Sequence, residues 1–172
     1  MDEARYPPLN SELREQLTLI EPSHNGSLEY RPCKVTLDGG EEHDFVLFAQ
    51  AGDYFALWGV WPIDDPQKRS VAVERVVSVQ ESSYRLPSAL ANALYEVGES
   101  GMGYFVFTVV LRDGRRLPFV TGNVADFPAL PSGVTTDDIV DVLPEIGRGQ
   151  FRDRAALPEE STANYFWCLY AD

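Results

Sequence analysis

Hydrophobic and polar positions along the chain change period several times, and each change predicts an element. Leu13, Leu17 and Ile20 recur at spacings of four and three after Ser11, which predicts a short helix over residues 11–19 with Ser11 as its cap. The stretch before it is polar, carries Pro7 and Pro8, and reads as a loose arm over residues 1–10. From Cys33 the pattern turns to β: CKVTLD, the turn Asp38-Gly39-Gly40, DFVLFAQ, the turn Ala51-Gly52-Asp53, and YFALWGVW, together a three-stranded meander. Its middle run, Phe45 to Phe48, is apolar at every position, as expected of a central strand covered on both faces.

A surface connection over residues 62–70 leads to the β-branched run VAVERVVSV. In ALANALYEV the residues Leu90, Leu94 and Val97 keep helical spacing, and Gly98 stands where a C-terminal cap belongs. YFVFTVVLRD, the turn Asp113-Gly114 and RRLPFVTG form a hairpin, with Pro118 pointing to an edge position. TTDDIVDVL reads as a two-turn helix with acids in its first turn and Pro144 as its stop. Residues 147–158 are mixed and basic, and NYFWCLYA reads as a last, core-packed strand. The expected architecture is a single α+β domain over residues 11–172, with an antiparallel sheet of about six strands and two or three short helices.

Composition supports a folded chain: 172 residues with 44% hydrophobic and 12% aromatic positions can build a core without metals or disulfides. Charge then narrows the partners. Fourteen Lys plus Arg against 27 Asp plus Glu give a formal net charge of -13. Such a chain repels phosphate backbones and anionic lipid and attracts basic surfaces, so nucleic acid and membrane are excluded as expected partners. Residues 35–67 hold Asp38, Glu41, Glu42, Asp44, Asp53, Asp64 and Asp65 with no Lys or Arg; residues 120–145 hold Asp126, Asp137, Asp138, Asp141 and Glu145, again with none. A solvated surface explains such windows most simply, and a patch complementary to a basic partner is the functional alternative. No basic-then-apolar leader opens the sequence and no apolar run reaches about 18 residues, so the expected location is cytoplasmic. Cys33 and Cys168 sit in apolar runs and read as core thiols, a single disulfide between them being the alternative.

Candidate chemistry is sparse. His24 and His43 are the only histidines, which leaves little for a nucleophile and base or for a metal; the cluster Glu41-Glu42-His43-Asp44 reads as a solvated hairpin end, and no cofactor or metal is expected. The glycine-rich loop GESGMG follows a helix and opens a strand, the reverse of a phosphate loop, and carries Glu99 with no base. It reads as a helix cap and chain reversal, or as a recognition loop presenting Glu99, Ser100 and Met102. In TGNVADF, Asn123 and Asp126 bond their own loop or face a ligand. Glu99 and Asp126 are the carboxylate pair on which acid and base work would rest. Tyr54, Phe55, Trp58 and Trp61 beside Asp53, Asp64 and Asp65 suggest core aromatics or, where exposed, an anchor-and-charge surface.

Across residues 85–144 the chain resembles small uncharacterised bacterial proteins that share its GESGMGY loop, FTV hairpin, GN-x-x-DF turn and DI-x-x-VLP segment. That resemblance implies a bacterial origin and marks Glu99, Ser100, Gly101, Tyr104, Asn123, Asp126 and Phe127 for testing, without an activity. In general character the chain is also similar to bacterial immunity proteins, which are small, acidic α+β proteins that bind and block a toxin. The functional expectation is therefore a non-enzymatic, acidic protein-binding domain for a basic toxin. Its candidate contacts are Asp53, Trp61, Asp64, Asp65, Glu99, Ser100, Met102, Asn123, Asp126, Asp137 and Asp138. Two other classes stand beside it: a small enzyme or ligand-binding domain with a pocket between loops 98–103 and 121–127, and a DNA mimic with acids in a regular line.

Overall fold

The computed structural model describes residues 5–145 and 162–172, so the first four residues and the basic stretch 147–158 lie outside the described residues. The class is α+β, as expected, with three α-helices and eight strands among the described residues. They fall into two compact units, Met1–Ser82 with Asn164–Asp172, and Ser83–Ala163.

The first unit is built on a five-stranded sheet of β1 (Ser23–Asn25), β2 (Leu28–Leu37), β3 (Glu42–Gln50), β4 (Val76–Gln80) and β8 (Phe166–Tyr170). Antiparallel hairpins join β1 to β2 and β2 to β3, and β4 shares with β1 the far edge of β2. β8 joins β3 in parallel register, Phe48 opposite Cys168. The expected burial of Phe45 to Phe48 on both faces holds for Val46, Leu47 and Phe48, and the two faces have different covers. Helix α1 (Ser11–Thr18) sends Leu13 and Leu17 onto Cys33, Val35, Val46, Phe48 and Cys168. Its cap is Asn10, not Ser11: the Asn10 side chain accepts the Leu13 N–H at 2.8 Å. The two cysteines are buried, free thiols in this cluster, and burial pushes the Cys168 thiol well above its ordinary pKa.

The other face is covered by helix α2 (Ala51–Trp58), where a third meander strand was expected. Aromatic residues made YFALWGVW look like a strand. The ends decide otherwise: the Gln50 side chain accepts the Asp53 N–H, and Gly59 closes the helix in the left-handed conformation at φ 68°. Tyr54 then turns inward and meets the Trp167 ring edge-on at 4.8 Å. The supposedly loose arm is tied down from Arg5 onward. Arg5 pairs with Asp64, Tyr6 packs on Trp61, and Pro7 accepts the Ala171 N–H at 3.0 Å.

The second unit has an antiparallel sheet of order β6-β5-β7 (Arg116–Thr121, Phe105–Leu111, Ile139–Pro144) and helix α3 (Ser88–Val97). The hairpin and α3 match expectation, and Pro118 does lie on an edge strand. TTDDIVDVL corrects the expected helix. Thr135 and Asp138 form a reciprocal capping box around one 3-10 turn, after which β-branched Ile139, Val140 and Val142 continue as β7. Capping chemistry marks the start of a helical turn; it does not set its length.

Candidate functional site

In the first unit, the outward side of α2 and the 3-10 turn Pro62–Asp64 collect apolar and acidic groups. Because Tyr54 points to the sheet, Asp53 and Leu57 face solvent, followed by Val60 and Ile63. Leu57 is 39% exposed, Val60 36% and Ile63 66%. Trp61 is half-buried, its ring between Tyr6 at 5.1 Å and Phe55 at 4.5 Å, so it braces the segment more than it protrudes. Asp64 takes both Arg5 amino groups, at 2.9 and 3.3 Å. Asp65 accepts the Gln67 N–H at 2.9 Å. Behind it Lys68 lays its ammonium 4.8 Å over the Trp58 ring; burial lowers its pKa and the Asp65 charge opposes that shift. The segment 53–65 thus presents exposed apolar side chains among acidic ones.

Other acids of the 35–67 window stand beside basic side chains. Lys34 lies 3.0 Å from Glu42 and 4.0 Å from Asp44, Arg75 lies 3.4 Å from Asp38, and His43 Nε2 is 3.1 Å from Glu41. Among the described residues no group of three or more His, Cys, Asp or Glu is placed to hold a metal ion.

In the second unit the two loops marked by sequence do adjoin: a Cβ built on Gly103 would stand 3.2 Å from Asn123 Oδ1. Their polar groups, however, serve the fold. Ser100 is buried, and its Oγ accepts the Val106 N–H at 2.8 Å while reaching the Glu145 carbonyl at 2.9 Å. Glu99 is exposed and accepts the Gly103 N–H at 2.9 Å. The concavity that a phosphate would need at Gly101 is filled by the Tyr104 ring, whose hydroxyl oxygen would lie 2.2 Å from an added Cβ. Asp126 is fully buried, as are Val124, Ala125 and Phe127. Its carboxylate accepts the Tyr95 hydroxyl and faces Arg85 Nε at 3.8 Å, while its carbonyl accepts the Leu86 N–H at 2.9 Å.

Asp126 and Ser100 are therefore removed as partner contacts, and the acid–base pairing of Glu99 with Asp126 loses its second member to the core. Met102, 89% exposed, does stand free at the loop tip. Asp137 is exposed, and Asp138 is spent on the Thr135 cap. Sequence reasoning missed Arg85 and Tyr95, the groups that hold Asp126. The available signal was the helical register that puts Tyr95 one position after Leu94 on the buried side of α3.

Two small cavities lie beside the acidic surface of the first unit. One, about 170 Å³, opens among Tyr6, Pro62, Val71, Val73, Glu74 and Leu169; the other, about 120 Å³, shares Pro7, Val73 and Glu74 with it and extends to Leu13. Pockets for metabolites and cofactors run to about 300–1,000 Å³, so these fit a single side chain. Compared with protein-family models, curated proteins and solved structures, the chain shows no match. No described helix is long and apolar enough to cross a membrane.

Titration of the aromatic groups gives a checkable pH dependence. Burial raises the phenol pKa of Tyr54, Tyr6 and Tyr170 above 10.0. A folded-state pKa raised above the unfolded value contributes stability that is complete below pH 10 and is lost as pH rises through the folded values. Lys68 acts oppositely: its lowered pKa makes stability rise with pH up to its ordinary value of 10.5 and hold level above it. Urea midpoints should therefore fall above about pH 10.5 and fall less steeply in Tyr54→Phe; equal slopes in the two proteins would refute the assignment to Tyr54.

Proposed function

We propose that the chain is an acidic protein-binding domain whose α2 face, with the turn after it, docks on a basic protein, in the manner of an immunity or inhibitor protein covering a cytoplasmic toxin. The observation that carries this reading is the adjacency of exposed Leu57, Val60 and Ile63 to Asp53, Asp64 and Asp65. Interfaces have an apolar centre that excludes water and a polar rim that sets orientation, and this segment has both. The net charge of -13 would steer a basic partner toward it and speed capture.

The test is affinity capture from native-host lysate by the full chain, by Asp53→Lys/Asp64→Lys, and by Asp137→Lys as a matched change in the second unit. A basic protein should be retained by the natural sequence at low salt and released at about 1 M, where the screening length falls to ~3 Å. It should be lost with the double reversal and kept with Asp137→Lys. Retention indifferent to the double reversal would overturn the assignment of the surface.

A further inference from the structure

β8 leaves a gap along its outer edge, and the larger cavity is that gap. The Trp167 N–H donates to Arg69 O at 2.9 Å and its carbonyl accepts the Val71 N–H at 2.9 Å; two pairs further on, the Ala171 N–H donates to Pro7 O at 3.0 Å. Successive residues of a strand present their peptide groups to alternate edges, so Leu169, midway between Trp167 and Ala171, turns its N–H and C=O to this same edge. No backbone bond from residues 69–71 or 5–9 reaches them. Leu169 lines the 170 Å³ cavity together with Ser70 and Glu74. Glu74 is exposed and forms no ion pair among the described residues. The cavity is thus lined by prolines and valines, by the strand edge with the Leu169 N–H and carbonyl, and by a carboxylate without an ion pair among the described residues. Among the described residues that line it, the one cation, Arg5, is already held by Asp64.

We infer that this cavity is a receptor for one lysine or arginine side chain of a basic partner, its methylene stem against Pro62, Val71 and Val73 and its charged head between Glu74 and the Leu169 carbonyl. Long basic side chains bury their stems on apolar surface and need acceptors only at the tip, and the lining here supplies both kinds of group. A cavity near 150 Å³ can lodge a benzene ring, so 170 Å³ admits one side chain and little more. Pro62 and Ile63 belong both to the cavity wall and to the proposed docking surface, which makes the cavity a natural anchor point for the same partner. The inference rests on that surface reading but is tested apart from it.

The experiment is an amide and side-chain NMR titration of the full chain with n-butylammonium at low salt, with n-butanol as the uncharged control of similar length. Shift changes should centre on residues 5–9, 70–74 and 169, with saturation in the millimolar range. Glu74→Gln should weaken the response roughly fivefold, the effect of about 1 kcal/mol for a partly exposed ion pair. Equal shifts with butanol, or no loss in Glu74→Gln, would show an apolar hollow that does not read charge and would overturn the inference. Shifts confined to residues 53–61 would overturn it too while leaving the docking surface standing, whereas loss of partner capture in the single variant Asp53→Lys, which leaves the Arg5–Asp64 pair intact, bears on the surface alone.

Discussion

Asp126→Ala is expected to destabilise the second unit by about 3–5 kcal/mol, the range for removing one member of a buried charge pair. The carboxylate is fully buried, accepts the Tyr95 hydroxyl and faces Arg85, whose side chain is itself only 9% exposed. Alanine would leave the guanidinium without that counter-charge. It would also strip an acceptor from a hydroxyl that is itself the acceptor for the Ala125 N–H at 2.8 Å, so the turn's backbone loses order with its side chain. Asp126→Asn keeps volume and an acceptor but not charge, and should lose roughly half as much, consistent with charge-assisted bonds being about twice as strong as neutral ones. All three tryptophans, Trp58, Trp61 and Trp167, belong to the first unit, so fluorescence does not report on this change. Urea unfolding followed by amide resonances of residues 86–127 does. A loss below about 1 kcal/mol would mean that the carboxylate is not committed to the core and would return the GN-x-x-DF turn to the list of ligand-facing candidates.

How far the sequence could be read depended on whether one signal dominated a segment. In the hairpin of β5 and β6, turn chemistry at Asp113-Gly114, alternation and the edge proline agreed, and the structure follows them. At YFALWGVW they conflicted. Aromatic content favoured a strand, while Gln50 as cap and Gly59 as stop favoured a helix, and the end groups won because they satisfy backbone donors and acceptors that aromatic side chains leave open. The reverse happened at TTDDIVDVL, where the cap was real but β-branched residues claimed the following positions for a strand.

The site was legible in composition and not in placement. The acids around residues 53–65 and their aromatic neighbours stood out in the sequence, yet the error at α2 concealed which of them face outward. In a strand, Tyr54 and Trp58 would share one face with Ala56. In the helix Tyr54 is core, Asp53 and Leu57 are surface, and Trp58 is half-buried under Lys68. Asp126 shows the opposite failure. A carboxylate in a turn that also carries Gly122 and Asn123 reads as solvated, and only its three-dimensional neighbours, Arg85 and Tyr95 from a distant segment, reveal it as a buried hub.

Trp167→Ala should produce the other large effect, because this ring connects the sheet to the helix that carries the acidic surface. It is 1% exposed and meets Tyr54 at 4.8 Å, Tyr30 at 5.5 Å and Tyr165 at 6.3 Å, each in an edge-to-face arrangement. Truncating a buried tryptophan costs about 3–5 kcal/mol, and edge-to-face pairs carry about 0.5–1.5 kcal/mol each beyond burial, so the upper part of the range is expected. Trp167 is also the residue whose peptide holds Arg69 and Val71 against β8, so a disturbed β8 should loosen the wall of the cavity as well. Tyr54→Phe separates packing from polarity at the same contact. Among the described residues the Tyr54 hydroxyl has no hydrogen-bond partner, so removing it should leave stability unchanged or raise it by about 1 kcal/mol while the ring still holds α2 in place. Circular dichroism in urea gives both values. If Trp167→Ala lost less than about 1 kcal/mol, or Tyr54→Phe lost as much as Trp167→Ala, the aromatic contact would not be what positions α2, and the acidic surface would need another support.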